Sequence, residues 1–189
     1  MRKLVLFTHI TLDGFGAGPN GEMDWIFVDD AIFDYAGKRT DNADAALYGR
    51  KTFEMMDSYW PTAGDPPDAS RHDKQHSEWY NRVQKIVVSK TYKGRQIPNT
   101  KIISDNLVKE IVEIKKGDGM DIVIFGSLSV LNELIAANLI DDYWLLVNPV
   151  LIGEGLPLFK GIGNNINLKL EEVKGFSSGV TCLHYSKLS

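Results

Sequence analysis

Apolar positions along this 189-residue chain follow two rhythms, unbroken or alternating runs of strand length and stretches spaced at about 3.6 residues, and their alternation carries the architecture. Leu4 to Thr11 is a β-branched and aromatic run closed by Asp13-Gly14, the pattern of a buried first strand and its turn. The glycine-rich segment from Phe15 to Met23 then predicts a mobile loop. From Asp29 to Lys38, Ile32, Phe33, Tyr35 and Ala36 fall at helical spacing, with Asp29 and Asp30 where the positive end of a helix dipole favours acids. A short strand, Ala45 to Tyr48, feeds Gly49-Arg50-Lys51-Thr52, and the spacing of Phe53, Met55, Met56 and Tyr59 predicts a helix that starts at the glycine. Residues 61–78, rich in Pro, Asp, Ser and His, read as a long excursion or lid, followed by a short helix from about Glu78 to Val83.

Gln84 to Ser89 and Lys101 to Ile103 are further strands, and Asn106 to Lys116 is an amphipathic helix stopped at Gly117. Asp121 to Phe125 is nearly all apolar, as in a strand buried on both faces of a parallel sheet, and Gly126-Ser127 leads from it into a helix over Leu128 to Asn138. Tyr143 to Val147 is another strand. Ile166 to Val173 and Val180 to Leu188, joined through Ser177-Ser178-Gly179, form a C-terminal antiparallel hairpin. The pattern is that of an α/β protein: a central mixed, mostly parallel sheet with flanking helices in three layers. No repeat or linker divides the chain, so a single domain over residues 1–189 is expected.

Composition narrows the function. A formal net charge of -4 without clustered Lys and Arg excludes a nucleic-acid partner, which needs cations to displace counterions from phosphate. Hydrophobic residues at 43% and charged residues at 24% describe a globular chain with no membrane span. The N-terminal apolar run reads as a strand rather than a signal peptide, because polar residues and Asp13 stand where a cleavage site would be. Cys182 is the only cysteine, so an intrachain disulfide is impossible and a reducing, cytoplasmic setting is expected.

Two strand-glycine-helix junctions carry candidate chemistry, since open α/β sheets present ligands at strand carboxyl ends, where helix N-termini hold phosphate. At Gly49-Arg50-Lys51-Thr52 the glycine admits a backbone close to a phosphate, two cations balance its charge and Thr52 offers a hydroxyl. The second is Gly126-Ser127. Each also reads as a tight turn or a helix cap. His9 on the first strand reads as a structural histidine or as one facing a ligand, and Trp25, Trp60, Trp79 and Trp144 read as core or interface rather than as stacking partners of a heterocycle. His72 and His76, spaced i, i+4, lack a third ligand, so no metal is expected. Asp13 reads as a turn residue.

In their order, these segments resemble the dihydrofolate reductase superfamily. ITLDGFGAGPNGEMDW is similar to the first strand and mobile loop of the riboflavin-biosynthesis reductase domain, the C-terminal domain of bifunctional deaminase-reductases. GRKTFE is similar to the dinucleotide-binding turn, VVSKT to the next cofactor segment, and FGSLSVLNELIAANLIDDYWLLVNPVLIGEGLPLF to the late glycine-helix-strand region. The zinc-binding His/Cys pattern of the deaminase is missing, so the bifunctional enzyme is not expected. The resemblance implies a dihydrofolate-reductase-like fold and an NADPH-dependent reductase of a small heterocyclic substrate, of the 5-amino-6-(5-phosphoribosylamino)uracil reductase type. Dihydrofolate or pteridine reduction, or a non-catalytic nucleotide-binding module, are the alternatives. It further implies that Gly49, Arg50, Lys51 and Thr52 hold the pyrophosphate and adenosine side, and that Ser89 and Lys90 meet the 2′-phosphate. Gly126 and Ser127 would approach the pyrophosphate, and Gly16, Ala17 and Gly18 would close over the nicotinamide. The substrate-binding acid of folate reductases falls on Asp29, Asp30 or Asp34, with Asp30 preferred. A homodimer is implied as well.

Overall fold

The long apolar runs, such as Leu4–Thr11 and Asp121–Phe125, are strands, and the stretches with apolar residues every third or fourth position, such as Leu107–Lys116, are helices. The computed structural model describes residues 1–188. In chain order the elements are β1 (Leu4–Thr11), β2 (Phe15–Ala17), α1 (Asp30–Thr40), β3 (Ala43–Gly49), α2 (Arg50–Tyr59), α3 (Arg71–Arg82), β4 (Gln84–Val88) and β5 (Thr100–Ile103), then α4 (Leu107–Lys116), β6 (Asp121–Phe125), α5 (Leu128–Ala136), β7 (Asp142–Asn148), β8 (Leu156–Pro157), β9 (Leu168–Gly175) and β10 (Thr181–Lys187). The class is α/β with mostly parallel main-sheet strands, flanking helices and a C-terminal antiparallel hairpin, as expected. The chain divides into two compact units, residues 1–2 with 29–123 and residues 3–28 with 124 onward, and β6 carries the chain from one into the other.

In the first unit β3, β4 and β5 are parallel neighbours, with Gly49 opposite Val88 and Val88 opposite Ile103. Ala45, Ala46, Leu47 and Tyr48 are fully buried, as the unbroken apolar run requires. Helix α3 is longer than the sequence pattern shows, because its first turns are polar and are fixed by a capping box: the Ser70 hydroxyl accepts from the Asp73 N–H while the Asp73 carboxylate accepts from the Ser70 N–H. Much of the expected excursion is therefore this helix. Its inner face buries Trp79, whose indole N–H donates to the Ala43 carbonyl, and Tyr80, whose hydroxyl donates to Asp57. His72 stacks on Phe33 with ring centroids 3.9 Å apart, and His76 lies 4.0 Å from the Trp60 ring. The histidine pair is thus part of an aromatic layer, and among the described residues no group of three or more His, Cys, Asp or Glu is arranged to hold a metal.

In the second unit β1 and β7 pair in parallel, from Val5 opposite Asp142 to Thr11 opposite Asn148, and β10 runs antiparallel between β7 and β9. Asp142 is buried yet paired on both oxygens, with Lys3 at 2.9 Å and with His184 Nε2 at 2.8 Å, while the His184 ring stacks on Trp144. A short ribbon of β2 against β8 occupies the start of the segment expected to be a mobile loop.

Burial holds two histidines neutral in the folded state, His9 with its pKa pulled down to about 4 and His76 to about 3. Both start from 6.5, so the unfolded chain binds more protons as pH falls below that value; the stability these groups contribute is complete above it and is lost as pH drops toward 4 and 3. Urea unfolding should lose about 2 kcal/mol per histidine between neutrality and roughly pH 5, and His76→Phe should flatten that slope; an unfolding free energy independent of pH across this window would contradict the assignment.

Candidate functional site

Parallel pairing brings the first candidate segment and the third to one edge. With Gly49 opposite Val88, helix α2 begins beside the Ser89-Lys90 bend that follows β4. Gly49 is the extended N-cap of α2 and supplies no side-chain cap, so the first turn formed by Arg50, Lys51 and Thr52 has the polarity of an anion-binding end. The Arg50 guanidinium donates to both oxygens of Glu54 at 2.9 Å, one turn on. The Tyr92 hydroxyl donates to the same carboxylate at 2.7 Å, and the Arg95 guanidinium lies 4.4 Å above the Tyr92 ring. Tyr92 first and Arg50 second hold the Glu54 carboxyl below its ordinary pKa. Ser89 is buried, its hydroxyl accepting from the Tyr92 N–H at 3.2 Å and sharing a hydrogen bond with Thr91. Lys51 and Lys90 are exposed, Thr52 half-buried. Arg50 and Arg95 thus lie about a single carboxylate that is already doubly bonded, and Lys51 and Lys90 are exposed on the two adjoining segments.

The second unit holds the glycine-turn and loop candidates. Gly126 and Ser127 both adopt left-handed backbone, at φ +56° and +59°, immediately before α5. A side chain on Gly126 would meet open space, whereas one on Gly16 would stand 2.7 Å from the Leu128 side chain in the first turn of the same helix. Ala17 is buried in the β2 and β8 ribbon, and the Gly155 backbone crosses so close that a Cβ there would lie 2.4 Å from the Ala17 carbonyl oxygen. The structure therefore gathers Gly16, Ala17 and the Gly126-Ser127 turn around the start of α5. Asp13 does more than make a turn: its carboxylate accepts from the N–H groups of Ile152 and Gly153 at 3.1 and 2.8 Å. The Thr11 hydroxyl, and then these amides, keep its pKa below the usual carboxylate range. At the ends of β1 and β7 stand Thr11 and Asn148, both buried, with His9 Nδ1 3.2 Å from the Asn148 amide nitrogen.

Asp30 is exposed in the first turn of α1; Asp29 is the N-cap, accepting from the Ile32 N–H, and Asp34 accepts from Arg71. The acids are thereby separated in role, with Asp30 the one bound to neither. Sequence reasoning missed Glu54, Tyr92, Arg95 and Asn148. Glu54 had a signal, its i, i+4 spacing from Arg50; the others become neighbours of the site only through strand register and chain bends.

These features define an α/β protein with a helix N-terminus and exposed cations at the carboxyl ends of parallel strands. The chain belongs to the RibD C-terminal domain family, whose profile matches residues 2–182. It is 36% identical to the uncharacterized protein YyaP of Bacillus subtilis over 187 residues, covering 97% of this chain and 94% of that one, and 26% identical to YwjB of the same organism over 186 residues, covering 97% of each. The fold is shared with a protein of Shewanella sp. PV-4 named for riboflavin biosynthesis (TM-score 0.71, 19% identity, 99% of each chain). A pyrimidine reductase-like protein of Corynebacterium diphtheriae also shares it (TM-score 0.66, 15% identity, 100% of this chain and 92% of that one). So does the Thermotoga maritima diaminohydroxyphosphoribosylaminopyrimidine deaminase/5-amino-6-(5-phosphoribosylamino)uracil reductase (TM-score 0.69, 18% identity), of which this chain, 99% covered, spans 57%. The expected kinship is therefore established.

Gly126→Ala should cost about 1 to 2 kcal/mol in chemical unfolding, since alanine fits the space and only the left-handed backbone opposes it; an unchanged midpoint would show that the turn relaxes. Asp13→Asn should speed amide exchange at Ile152 and Gly153, and unchanged protection there would show that the carboxylate does not hold the segment.

Proposed function

We propose that the chain is an NADPH-dependent reductase of a small heterocyclic substrate, of the 5-amino-6-(5-phosphoribosylamino)uracil reductase type. The observation that carries this reading is the register of β3 and β4, which sets the N-terminus of α2 beside Ser89-Lys90 and so joins an anion-binding helix end to exposed cations. The donor set fits a phosphorylated dinucleotide. Gly49 allows close backbone approach, the first turn of α2 offers N–H groups, and Lys51 and Thr52 add a cation and a hydroxyl. Lys90 with Arg50 would hold the 2′-phosphate, the group that distinguishes NADPH from NADH, while Ser89, its hydroxyl engaged by Tyr92 and Thr91, would fix the bend that presents Lys90.

Glu54 would repel that phosphate if it stood alone. Its hydrogen bonds from Tyr92 and Arg50 disperse its charge and fix the Arg50 guanidinium in place. In the second unit, taken by itself, the Gly126-Ser127 turn leaves open space before its backbone, and the ribbon carrying Ala17 is closely packed. NADPH, when bound, supplies a hydride; the chain's own residues orient it and exclude solvent. Asp30, exposed and outside the Asp29 cap, would hydrogen-bond the heterocycle. A cytoplasmic homodimer completes the proposal, supported by the exposed Leu170 and Val173 on β9, whose pairing among the described strands is to β10 alone.

Titration of nicotinamide fluorescence tests the reading. NADPH should bind more tightly than NADH, and Arg50→Ala and Lys90→Ala should each weaken NADPH about tenfold while leaving NADH nearly unchanged, the cost of one charge-assisted hydrogen bond. Absence of binding by either dinucleotide would overturn the proposal. Binding without cofactor oxidation by any pyrimidine or pterin would leave a nucleotide-binding module, and turnover of dihydrofolate would identify a folate reductase instead.

A further inference from the structure

His9 lies two residues before the end of β1, opposite Leu146 in the parallel pair, and Asn148 stands two residues further along β7 on the same face. The Asn148 side chain is fully buried, and its amide is oriented from both ends. Oδ1 accepts from the Phe27 N–H at 2.9 Å, while Nδ2 donates to the Leu146 carbonyl at 2.9 Å and reaches the Ile10 carbonyl at 3.4 Å. Exchanging the two ends would set an oxygen against two carbonyls and an NH2 against an N–H, so the orientation is determined. The same Nδ2 can only donate: one of its two protons goes to the Leu146 carbonyl, and the other faces His9 Nδ1 at 3.2 Å, nearer than the Ile10 carbonyl at 3.4 Å. Nδ1 is therefore an acceptor without a proton.

A neutral imidazole has one N–H, and with Nδ1 accepting it must sit on Nε2. Burial keeps the ring neutral at physiological pH. Nε2 makes no hydrogen bond with any described residue, although the ring is held in a single tautomer. The result is a preset, uncharged N–H donor near the carboxyl end of a parallel strand, the end at which open α/β sheets present ligands.

We propose that His9 is a substrate-contact residue whose Nε2–H, kept on that nitrogen by Asn148, donates to a carbonyl oxygen of the heterocycle. Asn148 is the positioning residue. A fixed neutral donor accepts a ring carbonyl and rejects an amino group at the same place, so the pair selects oxo-pyrimidine edges over amino edges. This inference rests on the reductase reading. It assigns His9 no proton transfer, so the pH-rate profile should show no histidine titration near neutrality.

The test follows the histidine side chains of 15N-labelled protein by NMR while 5-amino-6-(5-phosphoribosylamino)uracil is added in the presence of NADP+, with parallel calorimetry on His9→Leu and His9→Gln. Glutamine places an amide N–H where the imidazole Nε2–H stood. At neutral pH the wild-type ring should carry its proton on Nε2, and that resonance should move as the pyrimidine binds. Pyrimidine affinity should fall about tenfold in His9→Leu and largely return in His9→Gln, with NADP+ binding equal in all three. A proton on Nδ1, an Nε2–H unmoved by the pyrimidine, or equal pyrimidine affinity in His9→Leu would overturn the inference. Failure of the wild type to bind NADP+ would instead overturn the reductase reading, and it is read from a separate titration.

Discussion

Parallel strand pairing is the constraint from which the candidate site follows. Two parallel strands cannot be joined by a tight turn, so the chain must cross back over the sheet between them, and each strand delivers its carboxyl end to the same edge. In the first unit this sets the ends of β3 and β4 side by side and makes Gly49 and Ser89 neighbours although 40 positions separate them in the sequence. In the second it aligns Thr11 with Asn148 and makes an asparagine from β7 the partner of a histidine from β1. Neither neighbourhood needs an unusual residue. Each needs only the register that a buried apolar strand enforces, since a one-residue slip would turn every core side chain outward.

Electrostatics then divides the labour between exposed and buried groups. Exposed cations such as Lys51 and Lys90 contribute little to stability by themselves, and their value lies in the field they offer an anion. Buried polar groups work by fixed geometry: Asn148 has its amide satisfied at both ends, and Ser89 has its hydroxyl committed to Tyr92 and Thr91. Glu54 lies between these cases, an exposed carboxylate whose two donors turn it from a repulsive charge into an anchor for Arg50.

The parts of the fold legible in the sequence are those in which local pattern and tertiary role agree. DIVIF reads as a buried strand and is β6 with the same limits, and the glycine at 49 marks the start of α2 to within one residue. Helix α3 was legible only in its last turns, because its N-terminal half presents charge to water and relies on the Ser70 and Asp73 capping box. The ribbon of β2 and β8 was illegible because two or three residues carry no period. Ser127 shows the limit from the other side: a sequence with serine where a glycine suits the turn still takes the left-handed backbone, since β6 and α5 on either side dictate it. Residues brought together by strand register or by a chain bend, Asn148 and Tyr92 above all, carry no local signal.

If the chain uses NADPH as proposed, the edge formed by Gly49–Thr52 and Ser89-Lys90, joined by the register of β3 and β4, should recognise an adenosine bearing a 2′-phosphate. Calorimetric titration with adenosine 2′,5′-bisphosphate and with 5′-AMP measures that recognition without nicotinamide, substrate or turnover. The bisphosphate should bind at least about tenfold more tightly, with a preference that shrinks as salt rises. Equal affinity for the two nucleotides, or binding of neither, would contradict it.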